Sequence, residues 1–502
     1  MFRRGVLGIL LLLWGNVALC EENPFLRQWK NFQEDYAEQL EELAKWCEEN
    51  DLPEQAEKAR QYLQKPFDED KVYVAILPQQ MNKMALSKKK GKKSSKKGDE
   101  ETPAKTIGEQ KFFKLREKAS LYLLNQSRKA VRAGHISLGF DFLMKALEEN
   151  PDNEAARKIL GYRKFRDQWL SDFEVSQIQA KKVYHEQFGW IPRAHVKRYE
   201  AGERFFRGQW ISAEEDAEFH RSIENGWVIE TAHYKIVTNH SIEEGVKLGE
   251  NLEKLYRVWK QLFLGYYATP QQVVALFEGK PGLATPQAKH QVYFFRTRQD
   301  YNNHLRAKNP QIEMSLGLYS TGTKIAYFFG GEDYDIRTMF HEATHQLFQE
   351  SRKTDLAAGR LGNFWTIEGI AVTMESLHDE GNYHVVGGFD DERMLAARLR
   401  YRGGFYVPLE MLALMDTRRF QYHPEVVALY SQSAGLTHFF IFHENGLYRD
   451  ALAQILRDVY TGKNRITSIP QYTGKTYREL DEEFQTYITR HAEALKNWRF
   501  EE

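Results

Sequence analysis

His341-Glu342-Ala343-Thr344-His345 sets two histidines four positions apart. On a helix such residues lie nearly above one another, so both imidazoles can aim at one point while Glu342 projects beside them. A hydrolytic metal ion takes three protein ligands and keeps one position for water. The natural third ligand is Glu368, 23 residues after His345 in Trp365-Thr366-Ile367-Glu368-Gly369-Ile370-Ala371. That interval lets the chain leave one helix, turn and return on a second. Two imidazoles and a carboxylate favour zinc; non-haem iron accepts the same set but with a different local spacing. The chemistry implied is hydrolysis of an amide, with Glu342 as general base. Aspartate would be too short for that reach, and glutamine could not take a proton.

The elements that must position these groups are also legible. Met339, Phe340, Ala343, Leu347 and Phe348 give the motif segment a helical apolar face, and Asp335 is a plausible cap. A surface helix with two satisfied histidines would carry the same pentapeptide. Phe348 and Ser351 stand where the longer metzincin motif needs Gly and His, which excludes that arrangement. Residues 232–239 alternate like a strand, 241–264 have the spacing of a long amphipathic helix, and 291–297 read as a second strand. Residues 316–320 and 324–329, joined at Thr321-Gly322-Thr323, read as a hairpin directly before the motif helix. An exposed sheet edge there could hold an extended peptide over the metal, or simply support the helix.

Helices are expected over 409–415, 430–443 and 447–460, interrupted at Gly403-Gly404 and Thr461-Gly462-Lys463. A hydrolase of this kind needs a donor for the developing oxyanion. Tyr430 is the first candidate and His423 the second, against the alternative that either is a packing residue. Glu375, seven residues after Glu368, returns to the same helical face and could orient a ligand histidine, or be a solvated surface glutamate. His240, His290, His438 and His443 lack paired ligand spacing and are read as structural.

At these residues the chain resembles the gluzincin metallopeptidases, in which HExxH is paired with a downstream glutamate in a W-x-x-E-G-x-A pattern. More narrowly it is similar to secreted bacterial proteins of the peptidase-MA type. The supporting stretches are Gly189-Trp190-Ile191-Pro192, Tyr234-Lys235-Ile236-Val237-Thr238-Asn239, Tyr430-Ser431-Gln432-Ser433 and Thr473-Gly474-Lys475-Thr476-Tyr477-Arg478-Glu479-Leu480-Asp481. The resemblance covers roughly the last three fifths of the chain, and only the zinc motif within it is specific. It implies a thermolysin-like, zinc-dependent peptidase domain and supplies no substrate beyond a protein or peptide.

Residues 1–20 have the charged start (Arg3, Arg4), apolar run and Ala18-Leu19-Cys20 exit of a secretory signal, so the protein is expected to be exported. Lipidation at Cys20 is an alternative that Leu19 fits poorly. Removal of the signal leaves Cys47 alone, so no internal disulfide is expected. No other apolar run approaches the roughly 18 residues of a membrane span.

The 70 basic and 70 acidic residues balance, which offers no basic surface for nucleic acid. Residues 87–98 carry seven lysines with Gly and Ser. They read as a disordered linker first and a tether to an anionic cell-wall polymer second.

The organisation expected is a signal at 1–20, a helical hairpin at 21–75, a Lys-rich linker at 76–105, a helical region resembling a tetratricopeptide repeat at 106–225, and the peptidase domain at 226–495. Gly134 falls where the turn between the repeat's two helices belongs. The fold class is α+β, mostly helical, with a small mixed sheet and the HExxH helix. Three functions fit: a zinc peptidase, a non-catalytic scaffold with a relic peptidase fold, or a zinc amidase of cell-wall amides.

Overall fold

The computed structural model describes residues 24–63, 68–82, 103–280, 288–332 and 334–490. The expected signal and the Lys-rich run at 87–98 lie outside the described residues. The fold is mostly helical with small sheets. No helix of the described residues is long and apolar enough to cross a membrane.

The chain divides into two compact units, the smaller taking the described residues of 1–65 and 94–119 and the larger those of 66–93 and 120–502. In the smaller unit, helices Pro24–Glu49 and Pro53–Gln61 form the expected hairpin. Leu43, Ala44 and Cys47 of the first meet Ala56 and Ala59 of the second, closed by Phe112 and Leu115 from the start of helix Pro103–Arg132. The hairpin is shorter than the 21–75 expected from sequence. Strand β1, Lys71–Ala75, belongs instead to a sheet of the larger unit, where it pairs with a strand more than 300 residues later. Pairing at such separation leaves no trace in local periodicity.

In the larger unit the rest of helix Pro103–Arg132 and helix Ile136–Glu149 form a helical hairpin that turns at Gly134, whose φ of 93° suits glycine. Helix Glu154–Ile159 comes next, capped by Asn153. Here the expectation of a helical region through residue 225 needs correction. Three β-hairpins occupy the stretch after that helix, each trailed by a short helix: β2 Tyr162–Phe165 with β3 Gln168–Ser171, β4 Lys182–His185 with β5 Gly189–Pro192, and β6 Glu203–Phe206 with β7 Gln209–Ser212.

These units are a repeat. Gly161, Lys181 and Gly202 begin them with φ of 90°, 61° and 85°. The second strands carry Trp169, Trp190 and Trp210, 21 and 20 residues apart. Each Trp packs on the helix before its own hairpin: Trp169 under the Arg157 guanidinium at 5.4 Å, Trp190 against Phe173 at 6.4 Å, and Trp210 between His195 at 4.8 Å and Arg198 at 4.0 Å. Ser171 and Ser212 close the outer units with capping boxes to Glu174 and Glu215.

Five strands then form a mixed sheet in the order β11-β12-β10-β9-β8: β8 Trp227–Glu230, β9 Tyr234–Thr238, β10 His290–Phe295, β11 Leu318–Ser320 and β12 Ile325–Phe329. The central three are parallel and both edges antiparallel. Register aligns Tyr234, Ile236, His290, Val292, Phe294, Ala326 and Phe328 on one face. Helix Ile242–Leu262 covers that face, with Gly249 close to Ile236, and so does helix Ile336–Glu350, whose Glu350 binds His290 at 2.7 Å. Phe295, Tyr327 and Phe329 form a core with Tyr301, Leu305 and Ile312 on the opposite face.

Beyond the motif helix, helix Phe364–Met374 is buried along its whole length. The hairpin β13 His378–Glu380 with β14 Tyr383–Gly387 was not expected from the sequence; β1 completes its three-stranded sheet. Helices Glu392–Arg402, Leu409–Ala413, Val426–Phe442 and Arg449–Tyr460 pack around helix Phe364–Met374 or each other.

Candidate metal centre

The motif helix begins at Asp335, whose carboxylate accepts the Arg337 N–H at 2.9 Å. Its apolar residues are buried, Phe348 among the rings of Trp259, Phe263 and Tyr266, while His341, Glu342 and His345 are half-buried. The second helix arrives through Asn363, in the left-handed region at φ 52°. Asn363 is clamped there: its N–H donates to the Ala413 carbonyl at 2.8 Å, its amide to Asn464 at 2.9 Å, and it accepts from the Trp365 indole at 3.1 Å. Such a conformation costs energy that these contacts offset. It aims Glu368, 7% exposed, back at the histidines.

The three ligand groups converge. His341 Nε2 and His345 Nε2 are 3.1 Å apart, and Glu368 Oε2 lies 3.5 Å from the first and 3.8 Å from the second. Ligands held about 2.0–2.1 Å from a tetrahedral ion stand roughly 3.3 Å from each other, so the spacing and the donor chemistry fit a divalent cation. The group can hold a metal ion.

Glu375 is buried at 6% exposure, not solvated, and its Oε1 accepts from His341 Nδ1 at 2.8 Å. This fixes the tautomer that leaves Nε2 free to ligate. Glu342 Oε2 accepts the backbone N–H of Tyr319 at 2.7 Å, so the carboxylate sits against the sheet's edge strand β11. Tyr430, on helix Val426–Phe442, brings its phenol near enough to Glu368 for each to shift the other's ionisation. Close approach of that helix depends on Gly369: a methyl there would stand 2.7 Å from the Ser433 carbonyl oxygen and against Thr437.

Electrostatics follow from burial and proximity. Burial raises the Glu342 carboxyl to about 7, with the His341 charge and the Tyr319 N–H opposing. Burial holds the His345 imidazolium down, to about 4. For His341 burial acts in the same direction, yet the hydrogen bonds to Glu368 and Glu375 outweigh it and raise its pKa. Glu368 is held low by His341 and His345 against its burial. Burial pushes the Tyr430 phenol well above its ordinary value, and the Glu368 charge pushes it further.

His423 takes another place. Its Nδ1 accepts the Glu425 N–H at 3.1 Å in the turn before helix Val426–Phe442, a local bond that joins it to no member of the cluster. The four histidines read as structural have structural contacts: His290 on Glu350, His438 between Tyr487 and the Gly388 N–H, His240 stacked on Phe294, and His443 stacked on Tyr448. Sequence reasoning missed Arg393, whose Nε donates to Glu375 Oε2 at 2.7 Å, and the Asn363–Asn464 clamp. An Asn immediately before a helical apolar run was the one signal for the clamp; Arg393 gave none.

No family model matches this chain, and no curated protein matches it.

Proposed function

We propose that this chain is a zinc-dependent peptidase of the gluzincin type, exported from the cytoplasm. The observation that carries the reading is the convergence of His341 Nε2, His345 Nε2 and Glu368 Oε2 within hydrogen-bond-like distances of one another, with Glu342 beside them. A zinc ion held by these residues supplies a water of lowered pKa and polarises a carbonyl. The chain supplies the rest. Glu342, with a carboxyl near neutrality, accepts a proton from the attacking water and returns it to the leaving nitrogen. Tyr430, its hydroxyl beside Glu368, donates to the oxyanion that develops on the carbonyl.

An extended peptide passing beside β11 would bring its scissile bond to Glu342, whose carboxylate is held at that strand by the Tyr319 N–H.

The test is hydrolysis of a mixed peptide library by the purified chain, with metal content measured alongside. Expected is chelator-sensitive cleavage restored by zinc, with Glu342→Gln retaining metal and losing turnover. Intact peptides would leave the scaffold reading, and cleavage confined to cell-wall fragments would leave the amidase.

A further inference from the structure

The cluster His341–Glu375 ends on a residue outside the chemistry above. Arg393 opens helix Glu392–Arg402, and its Nε holds Glu375 Oε2 at 2.7 Å while the other oxygen meets His341 at 2.8 Å. A carboxylate held at one oxygen can pivot; one held at both cannot. The same helix is tied directly to the motif helix through Glu392 to Arg337, and Arg337 stands one turn before His341. Arg400, seven positions after Arg393 and so on the same face, donates to Ser431 Oγ at 3.2 Å, adjacent to Tyr430.

We propose that Arg393 is a positioning residue for the metal centre. It fixes the plane of the Glu375 carboxylate, which in turn fixes the direction in which His341 presents Nε2. The half-exposed guanidinium suits this role, since a planar fork orients a carboxylate where an ammonium only attracts it. The proposal rests on the reading of His341, His345 and Glu368 as a metal centre.

Cobalt(II) titration of the full chain tests it, with affinity and the visible absorption envelope as readouts. Arg393→Gln is expected to weaken cobalt binding by about tenfold, the lower end for residues behind a ligand. It should also change the absorption envelope and leave the melting temperature of the metal-free protein unchanged. Arg393→Lys should restore part of the affinity. In a Glu375→Gln background, Arg393→Gln should add nothing, because the route through Glu375 is already cut.

Native affinity and spectrum in Arg393→Gln would overturn the proposal. So would a full additional loss on top of Glu375→Gln, or a loss that only accompanies a lowered melting temperature. Absence of cobalt binding by the unsubstituted chain would overturn the metal-centre reading itself, before any variant is compared.

Discussion

The hairpin repeat at 162–212 and the metal centre are built on opposite plans. In the repeat, every Trp packs on the helix directly before its own hairpin, so each unit rests first on its sequence neighbour, with distant chain touching it at its margins, as where Gln80 bridges Gln168 and Glu243 meets Arg204. In the centre, groups from the motif helix, helix Phe364–Met374, helix Val426–Phe442 and helix Glu392–Arg402 meet only after the chain has crossed the molecule several times. The first plan tolerates damage because loss stays local. The second concentrates consequence, because each ligand's direction depends on a helix packed elsewhere.

Substitutions can break this contrast in graded steps. The largest effect belongs to Glu342→Gln, which should lower turnover by about 10²–10⁴-fold, the range for a positioned general base. Steady-state kinetics with parallel metal analysis would check that zinc is kept. Trp169→Ala removes a side chain with no exposed surface and should cost about 3–5 kcal/mol. Chemical denaturation would register that loss, while metal content per folded chain should not change. If zinc binding fell with it, the repeat would be no local structure.

Gly369→Ala forces a methyl against Ser433 and Thr437 and should cost about 1–3 kcal/mol. Unlike Trp169→Ala it should also weaken metal binding, since it parts the Glu368 and Tyr430 helices; an unchanged zinc affinity would argue against their coupling. The smallest effect is expected from Ser171→Ala, which deletes one capping box for about 1 kcal/mol. Thermal melting should move by a few degrees with kinetics untouched.

The same contrast explains what could be read from sequence. Strands β9, β10 and β12 are legible because runs of five or six residues rich in β-branched and aromatic side chains form a local signal. The motif helix did so through its apolar stripe, and Glu368 through the residues around it. Strands β2 to β7 run four residues each, the first of every pair mixing charged residues with aromatics, with helical spacing in between. Read as a continuous stretch, they merged into the preceding helices; read at an interval of about 20 residues, the three Trp would have separated them. Nothing in the sequence joins β1 to β14, Asn363 to Asn464 or Arg393 to Glu375, because those contacts exist only once tertiary packing is complete.

The most direct measurement is X-ray absorption at the zinc edge of the metal-loaded protein. One zinc per chain should appear with nitrogen and oxygen neighbours at about 2.0–2.1 Å, including two imidazoles, and His345→Ala should remove one of them. A chain that binds no zinc, or zinc whose shell is unaltered by His345→Ala, would contradict a centre built from His341, His345 and Glu368.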